Sequence, residues 1–207
     1  MTDPDSLYNS KSCPACIKRE TAARLAIDLS LPKRFDKEDF DTYKPKTQSQ
    51  HDAADTISGY ARNILLNLEQ GVGLTLWGSV GTGKTHLAIC VLKAAVREAK
   101  SACYATEDGI FDSFKKLWDD PSDEIEYLRR LQNVRFLLID DFGIRKPTDY
   151  VSDRYEAIVN TRYANGLPTL VTSNHDPEQL AAVYPRQMSR LAGNIVLKVV
   201  GPDWRKP

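Results

Sequence analysis

The sequence of 207 residues has no apolar run of the roughly 20 residues that a membrane-spanning helix needs, so none is predicted. It holds only four cysteines, Cys13, Cys16, Cys90 and Cys103, which is too few for a disulfide-stabilised secreted scaffold. Its first residues, MTDPDSLYNS, are acidic and polar and do not resemble a signal peptide. We therefore expect reduced cysteines, no membrane association and a cytoplasmic location.

An excess of charge of either sign is also missing. The 28 Lys and Arg residues match the 28 Asp and Glu residues, which gives a net charge of zero. A neutral chain offers no global electrostatic argument for nucleic acid, although a local basic patch remains compatible with it. The composition, 42% hydrophobic and 27% charged, is that of a globular protein, and the length suits one domain with an appendage.

The chain divides near residue 45. Residues 1–12 have the composition of a disordered tail, and a CxxC pair and a short charged helix follow. Residues 31–50 are rich in Pro, Lys and Asp without a clear period, which indicates an extended wrap anchored by LPKRF and DFDTYKP. Between Asp52 and Glu69 the apolar residues recur at helical spacing. We expect an N-terminal tail over residues 1–45 and a folded domain over residues 46–207.

Beyond Gly71, strand and helix patterns alternate. The strand segments are GLTLWG, SACYAT, RFLLID, PTLVTSN and NIVLKVV. The helical segments between them are THLAICVLKAAVREA, DGIFDSFKKLWDD, TDYVSDRYEAIVNTRYANG and PEQLAAVYPRQMSRLA, the last with a break near Pro185. This alternation predicts an α/β fold with a doubly wound, mainly parallel five-stranded sheet flanked by helices.

A glycine-rich stretch joins the first strand to its helix and fits the pattern GxxxxGK[ST] at every position. Its residues are Gly78, Ser79, Val80, Gly81, Thr82, Gly83, Lys84 and Thr85, and we add the adjoining His86 to the predicted nucleotide-binding set. Glycines let the backbone turn its N–H groups toward phosphate oxygens, with the positive end of a helix dipole behind them. The pattern predicts that Lys84 reaches the β and γ phosphates and that Thr85 is a magnesium ligand.

Two carboxylates end the strand FLLID. Asp140 is placed to hold the same Mg²⁺ as Thr85, because ligands of open α/β sheets bind at the carboxyl ends of strands. Asp141 is predicted to act as general base on the attacking water, although it also fits a solvated carboxylate at a strand end. Asn174 ends the next apolar strand, where it either holds the water or the γ phosphate or is simply a turn residue.

The motifs GTGKTHLA, FLLIDDFG, YEAIVNTRYANGLPTLVTSN and GPDWR, together with LPKRF and FDTYKP, resemble the DnaC/IstB-like branch of the AAA+ ATPases. That branch comprises bacterial and phage helicase loaders and the ATPase subunits of some transposons. The resemblance covers about Cys13 to Arg205. It implies a P-loop AAA+ ATPase with ATP and Mg²⁺ as cofactors, in a bacterium or encoded by a phage. Its implied partners are a replicative helicase, single-stranded DNA and further copies of the chain across ATP-bridged interfaces.

The resemblance also assigns arginines. Arg186 takes the place of an arginine finger that reaches the γ phosphate bound by a neighbouring subunit, and Arg190 supports it. Such a cation neutralises charge that develops in the transition state. Both residues also fit an ordinary solvated helix face, since they are four positions apart. Arg205 falls at the position of the family's sensor-2 arginine.

Single-stranded DNA is held in the family by the helix after the second strand. Lys115 and Trp118 match its basic and aromatic positions here, one for the backbone and one for a base. Phe111 and Phe114 have the helical spacing of core residues, and Trp118 fits either role.

The remaining motif, Cys13 and Cys16, is half of a zinc site. Tetrahedral zinc needs four ligands, and without a second pair we do not expect zinc there. The predicted function is an ATP-driven helicase loader with slow, partner-stimulated hydrolysis. A transposition ATPase that binds duplex DNA and a transposase, and an ATP-dependent adaptor that does not hydrolyse, remain open as alternatives.

Overall fold

A five-stranded sheet forms the centre of the molecule in the computed structural model, which describes residues 31–117, 121–145 and 148–205. The strands are β1 (Leu74–Trp77), β2 (Ala102–Thr106), β3 (Phe136–Asp140), β4 (Thr169–Ser173) and β5 (Ile195–Lys198). They lie in the order β2-β3-β4-β1-β5, and each pair of neighbours is parallel. The predicted α/β fold with a parallel five-stranded sheet is confirmed.

Helices cover both faces of this sheet. They are α1 (Gln48–Arg62), α2 (Ile64–Gln70), α3 (Lys84–Arg97), α4 (Glu107–Lys116), α5 (Pro121–Asn133), α6 (Asp149–Ala164), α7 (Pro177–Val183) and α8 (Pro185–Leu191). One apolar core lies between the sheet and α1 and α3, and a second lies between the opposite face and α4, α6, α7 and α8. Two cores on opposite faces are what a doubly wound sheet produces.

The helix expected over residues 52–69 is wrong in two respects. It begins earlier, at Gln48, where the Thr47 side chain caps the first turn. It also breaks at Asn63, which separates α1 from α2. The Asn63 amide donates to the Gly59 carbonyl at 3.0 Å, and the Asn67 amide donates to the Tyr60 carbonyl at 2.9 Å. Such side-chain bonds compete with the backbone ladder of a helix.

The segment patterns above do not include α5, which lies between the second and third strands. Its link to α6 is the guanidinium of Arg162, whose side chain is fully buried. Arg162 donates to the carbonyls of Leu131 at 2.9 Å, Val134 at 2.7 Å and Pro168 at 2.6 Å. A buried cation is tolerated only when its donors are satisfied, and here backbone carbonyls satisfy them.

The N-terminal wrap is held against α3. It contains two 3₁₀ turns, Lys33–Phe35 and Phe40–Thr42. Lys93 of α3 donates from its ammonium to the carbonyls of Phe35 at 2.7 Å and Asp36 at 3.0 Å. Since Phe35 is buried in the same core as α3, this wrap forms one body with the sheet.

Several predicted features fall outside the described residues, namely the tail over residues 1–12, Cys13 and Cys16 with the short helix after them, and Trp118. The boundary at residue 45 stays a prediction. Within the described ranges, no helix combines the length and the apolar character needed to cross a bilayer.

Candidate functional site

The glycine-rich loop leaves the carboxyl end of β1 and enters α3 at Lys84. Gly81 and Gly83 have φ values of 77° and 93°, a conformation that favours glycine. Space demands glycine as well. A Cβ on Gly83 would lie 2.5 Å from a ring carbon of Tyr43, and one on Gly81 would lie 1.7 Å from the Asp203 carboxylate. The loop is therefore a tight turn enclosed by segments from both ends of the described chain.

Lys84 is buried at the base of this loop and is 6% exposed. Its ammonium donates to the carbonyls of Gly78 and Ser79, both at 2.8 Å, and to Asn174 Oδ1 at 3.0 Å. The structure thus brings together the lysine of the loop and the amide that follows β4, two residues 90 positions apart in the chain.

Asp140 is the last residue of β3 and is 2% exposed. Its Oδ1 atom accepts from the Thr85 hydroxyl at 2.8 Å and from the Thr172 hydroxyl at 2.5 Å. Its Oδ2 atom accepts from the Tyr104 hydroxyl at 3.0 Å. The two residues predicted to share a metal ion, Thr85 and Asp140, are therefore in direct contact.

Asp141 follows in a left-handed conformation, with a φ of 58°. Its N–H donates to the Thr172 hydroxyl at 3.0 Å, which fixes the turn next to β4. Burial raises the pKa of Asp141, and the neighbouring Asp140 charge raises it further, whereas Lys84 and Arg205 act in the opposite direction. A carboxylate with a raised pKa accepts a proton more readily than a solvated one.

The pKa of the Lys84 ammonium is shifted by burial and by the same neighbouring charges. Burial lowers the pKa of its ammonium, while the Asp141 and Asp140 carboxylates oppose that change. Arg205 adds to the lowering because it is a like charge. The predicted sensor arginine thus faces the loop lysine across one cleft.

That cleft has a volume of about 360 Å³. It is lined by Phe35, Glu38, Val80, Gly81, Gly83, Lys84, Thr85, His86, Asp141, Ile144, Asn174, Trp204 and Arg205. Six of the nine residues predicted to bind nucleotide line the cleft. The lining also contains Phe35 of LPKRF, Trp204 of GPDWR and Ile144, none of which was predicted to bind nucleotide.

Two aromatic rings close the loop from the side. Tyr43 and Trp204 stack with ring centroids 5.1 Å apart and an interplanar angle of 21°. The Tyr43 hydroxyl donates to the Thr82 carbonyl at 3.2 Å, and the backbone N–H of Trp204 donates to the Gly81 carbonyl at 3.1 Å. The N-terminal wrap and the GPDWR segment thereby fix the loop in place.

Both ring nitrogens of His86 contact residues of the N-terminal wrap. Its Nε2 atom lies 2.8 Å from the Asp39 carbonyl, and its Nδ1 atom contacts the Glu38 carboxylate. His86 borders the cleft but points its nitrogens toward the protein.

Arg186 and Arg190 lie away from this cleft, on α8. Arg186 pairs with Glu156 of α6 at 2.9 Å, and its side chain is 77% exposed. Arg190 donates to Asn160 Oδ1 at 3.2 Å. Within one chain the structure does not bring either arginine to the loop, so any contact with a bound phosphate has to be made with another subunit.

The helix predicted to hold DNA is α4. Lys115 is exposed on it, whereas Phe111 and Phe114 are buried in the core, as their spacing predicts. Trp118 lies outside the described residues.

A buried glutamate at the start of α4 was not indicated by any motif. Glu107 Oε1 accepts from Gly143 N at 3.3 Å and from the Tyr155 hydroxyl at 2.7 Å, and Oε2 accepts from Arg145 N at 2.8 Å. Burial raises the pKa of Glu107, and these donors oppose that change. The carboxylate holds the loop after Asp141, but in the sequence it resembles an ordinary first-turn acid of a helix.

We expect Glu107→Gln to lower the free energy of unfolding by about 1–3 kcal/mol, because an amide N–H then faces a buried backbone N–H. Urea unfolding measures the difference. Glu69→Gln, at an exposed glutamate of α2, is the control and should change stability little. Equal stability of the two variants would contradict a structural role for Glu107.

The residues at this cleft fit a magnesium ion. Thr85 and Asp140 offer the hard oxygen ligands that Mg²⁺ prefers, and Mg²⁺ usually takes only one or two protein ligands beside phosphates and waters. Among the described residues, no group of three or more His, Cys, Asp or Glu is arranged to hold a metal.

Comparison with known proteins identifies the family of this chain. A family model described as "IstB-like ATP binding protein" matches residues 18–200. The crystal structure of the DnaC helicase loader is 30% identical with a TM-score of 0.75, over 82% of this chain and 100% of that chain. The replicative helicase loader DnaC of Escherichia coli is 25% identical over 154 residues, 73% of this chain and 62% of that protein.

The replication initiator DnaA of Campylobacter jejuni is 28% identical over 128 residues, 62% of this chain and 29% of that protein. The chain thus spans less than two thirds of the length of these curated relatives. Because the family model covers most of the chain and a structure at 30% identity is covered throughout, the predicted resemblance is confirmed. The chain belongs to the family of IstB-like ATP binding proteins, with DnaC among its structural relatives.

Proposed function

We propose that this chain is an ATP-hydrolysing AAA+ protein that delivers a replicative helicase to single-stranded DNA when replication begins in a bacterial cytoplasm. The observation that carries the nucleotide part is the buried Lys84 between the loop carbonyls and Asn174, beside the Thr85–Asp140 contact. The similarity to the DnaC helicase loader over its whole chain supports the loading part.

In this proposal, the residues of the loop bind the triphosphate. Gly78 N–H donates to the Ser173 carbonyl at 3.2 Å, so the N–H groups that would face the β and γ phosphates are those of Ser79 to Gly83 and of the start of α3. The Lys84 ammonium neutralises the phosphate charge. Thr85 and Asp140 would hold Mg²⁺, which when bound neutralises charge on the phosphate oxygens. Since both ligands sit on rigid elements, their positions are set before the nucleotide arrives.

Asp141 and Asn174 act on the water. Asp141 takes the proton of the attacking water, and burial suits it to this role because a raised pKa makes the carboxylate a better base. Asn174 holds the water or the γ phosphate from the strand on the other side, where its Oδ1 atom already contacts Lys84. Arg205 lines the same cleft and adds positive charge near the phosphates.

Neighbouring subunits complete the site. Arg186 is exposed on α8 and does not line the cleft of its own chain, and in this proposal it serves a nucleotide bound by the next copy. Arg190, one helical turn further on, supports it. Self-association through ATP-bridged interfaces is therefore part of the proposal.

The DNA contact is assigned to Lys115, which is exposed on α4 for the phosphate backbone, and to Trp118, which would stack on a base. One alternative changes the partner: a transposition ATPase that binds duplex DNA and a transposase, as the resemblance to the transposon ATPases implies. Another alternative is a non-hydrolysing adaptor, in which Asp141 stays a structural residue of the turn after β3.

Affinity capture tests the proposal. The tagged chain, in a slowly hydrolysed ATP analogue, is expected to retain the purified replicative helicase of the host bacterium and a single-stranded oligonucleotide. Capture of duplex DNA and a transposase, with no helicase, would overturn it in favour of the transposition ATPase.

Asp141→Asn should keep ATP affinity and lose turnover by about 100-fold or more. Bound ATP without turnover in the wild type, with or without helicase and DNA, would favour the adaptor.

A further inference from the structure

The two oxygens of the Asp140 carboxylate have different surroundings. Oδ1 faces the site, where it accepts from Thr85 and Thr172. Oδ2 points away from the site, where it accepts from the Tyr104 hydroxyl at 3.0 Å. Asp140 is 2% exposed, so water cannot readily replace a lost donor, and an unsatisfied buried carboxylate oxygen costs free energy.

Strand register explains how Tyr104 reaches this carboxylate. Thr106 pairs with Asp140 and Tyr104 pairs with Leu138 across β2 and β3. Because side chains alternate along a strand, Tyr104 and Asp140 project from the same face of the sheet, as diagonal neighbours within reach of an aromatic side chain. That face is the one covered by α3, at whose start Lys84 lies.

The ring of Tyr104 is held from the other side by the N-terminal wrap. Phe35 makes an edge contact with it, with ring centroids 5.7 Å apart and an interplanar angle of 64°. Lys93 fixes the Phe35 carbonyl to α3 at 2.7 Å. The contact with Phe35 and the hydrogen bond to Asp140 thus set the direction of the Tyr104 hydroxyl.

We propose that Tyr104 is a positioning residue for the metal site. Its hydroxyl fixes the Asp140 carboxylate so that Oδ1 stays beside Thr85, and the turn at Lys33–Phe35 holds Tyr104 in that place. The inference rests on the proposed binding of ATP with Mg²⁺. Tyr104 itself touches neither nucleotide nor metal, and its effect passes through Asp140.

The test is Tyr104→Phe, which keeps the ring contact with Phe35 and removes only the hydroxyl. In the presence of a slowly hydrolysed ATP analogue, electron paramagnetic resonance of free Mn²⁺ gives the affinity of the complex for the metal. We expect the Mn²⁺ dissociation constant to rise about 10-fold or more, the usual effect of losing an outer partner of a ligand. Affinity for the analogue in excess EDTA should stay within about twofold, since the hydroxyl is remote from the loop.

Tyr60→Phe is the matched control. Tyr60 is a buried tyrosine of the same core whose hydroxyl donates to the Val72 carbonyl at 2.5 Å, remote from Asp140. Its loss should affect stability without changing metal affinity. An unchanged Mn²⁺ dissociation constant in Tyr104→Phe would overturn the inference alone. Failure of the wild type to bind the analogue at all would instead overturn the proposed function.

Discussion

Replacing Lys84 by alanine is expected to raise the dissociation constant for ATP by about 100-fold or more. Charge-assisted contacts contribute about 1.5–3 kcal/mol each, and about 1.4 kcal/mol corresponds to a tenfold change, so two lost phosphate contacts give this magnitude. The position makes the loss hard to compensate. The Lys84 side chain is 6% exposed. Among the described residues, no other lysine lines the cleft and could replace it.

Titration with a fluorescent ATP analogue measures this change. Lys84 also donates to the Gly78 and Ser79 carbonyls, so thermal unfolding has to show that Lys84→Ala remains folded at the titration temperature. Lys100→Ala, just past the opposite end of α3, is the matched control and should bind like the wild type. Wild-type affinity in a folded Lys84→Ala protein would remove the nucleotide from this cleft and with it the proposed function.

The second large effect is expected at Arg186. Arg186→Ala should reduce ATP turnover by about 10³-fold or more and leave ATP affinity unchanged, because an arginine supplied by a neighbour stabilises charge that exists only in the transition state. The side chain is 77% exposed and pairs with Glu156 at the surface, so its loss should leave the fold intact. Arg129→Ala, at another exposed arginine, serves as control.

A mixing experiment separates action between subunits from action within one. Arg186→Ala and Asp141→Asn are each expected to be inactive alone. When the two are mixed, an Arg186→Ala subunit keeps its Asp141 and receives Arg186 from an Asp141→Asn neighbour. Part of the turnover should therefore return. Activity of Arg186→Ala equal to the wild type would exclude the residue from the reaction, and no recovery on mixing would contradict a role between subunits.

The sequence predicts the fold class correctly, and it predicts a set of site residues that the structure brings together, for a physical reason. A loop that surrounds phosphate requires glycines and a lysine at fixed spacing. An apolar run that ends in acids identifies a buried strand whose carboxyl end lies where ligands of such sheets bind. Gly78–Lys84, Asp140 and Asn174 could therefore be predicted from short motifs. The same patterns gave five strands and the break at Pro185.

Contacts between distant segments could not be predicted in this way. The strand order, the Tyr43–Trp204 stack and the Tyr104–Asp140 bond depend on which strands are neighbours and on where the wrap packs. A tyrosine in SACYAT looks like any other strand aromatic until β2 lies beside β3. The division at Asn63 was missed because helical spacing continues on both sides of it, while the side-chain bonds that end α1 leave no mark on periodicity.

The left-handed backbone conformation of Asp141 explains why aspartate, rather than the longer glutamate, suits this position. Aspartate and asparagine tolerate this region better than longer side chains, because their short polar groups bond locally to the backbone. A glutamate would extend further into the cleft, but its longer side chain is less favourable in this left-handed backbone conformation. The turn after β3 thus favours a side chain that is shorter by one methylene, and this limits how far the carboxylate can extend toward a bound nucleotide.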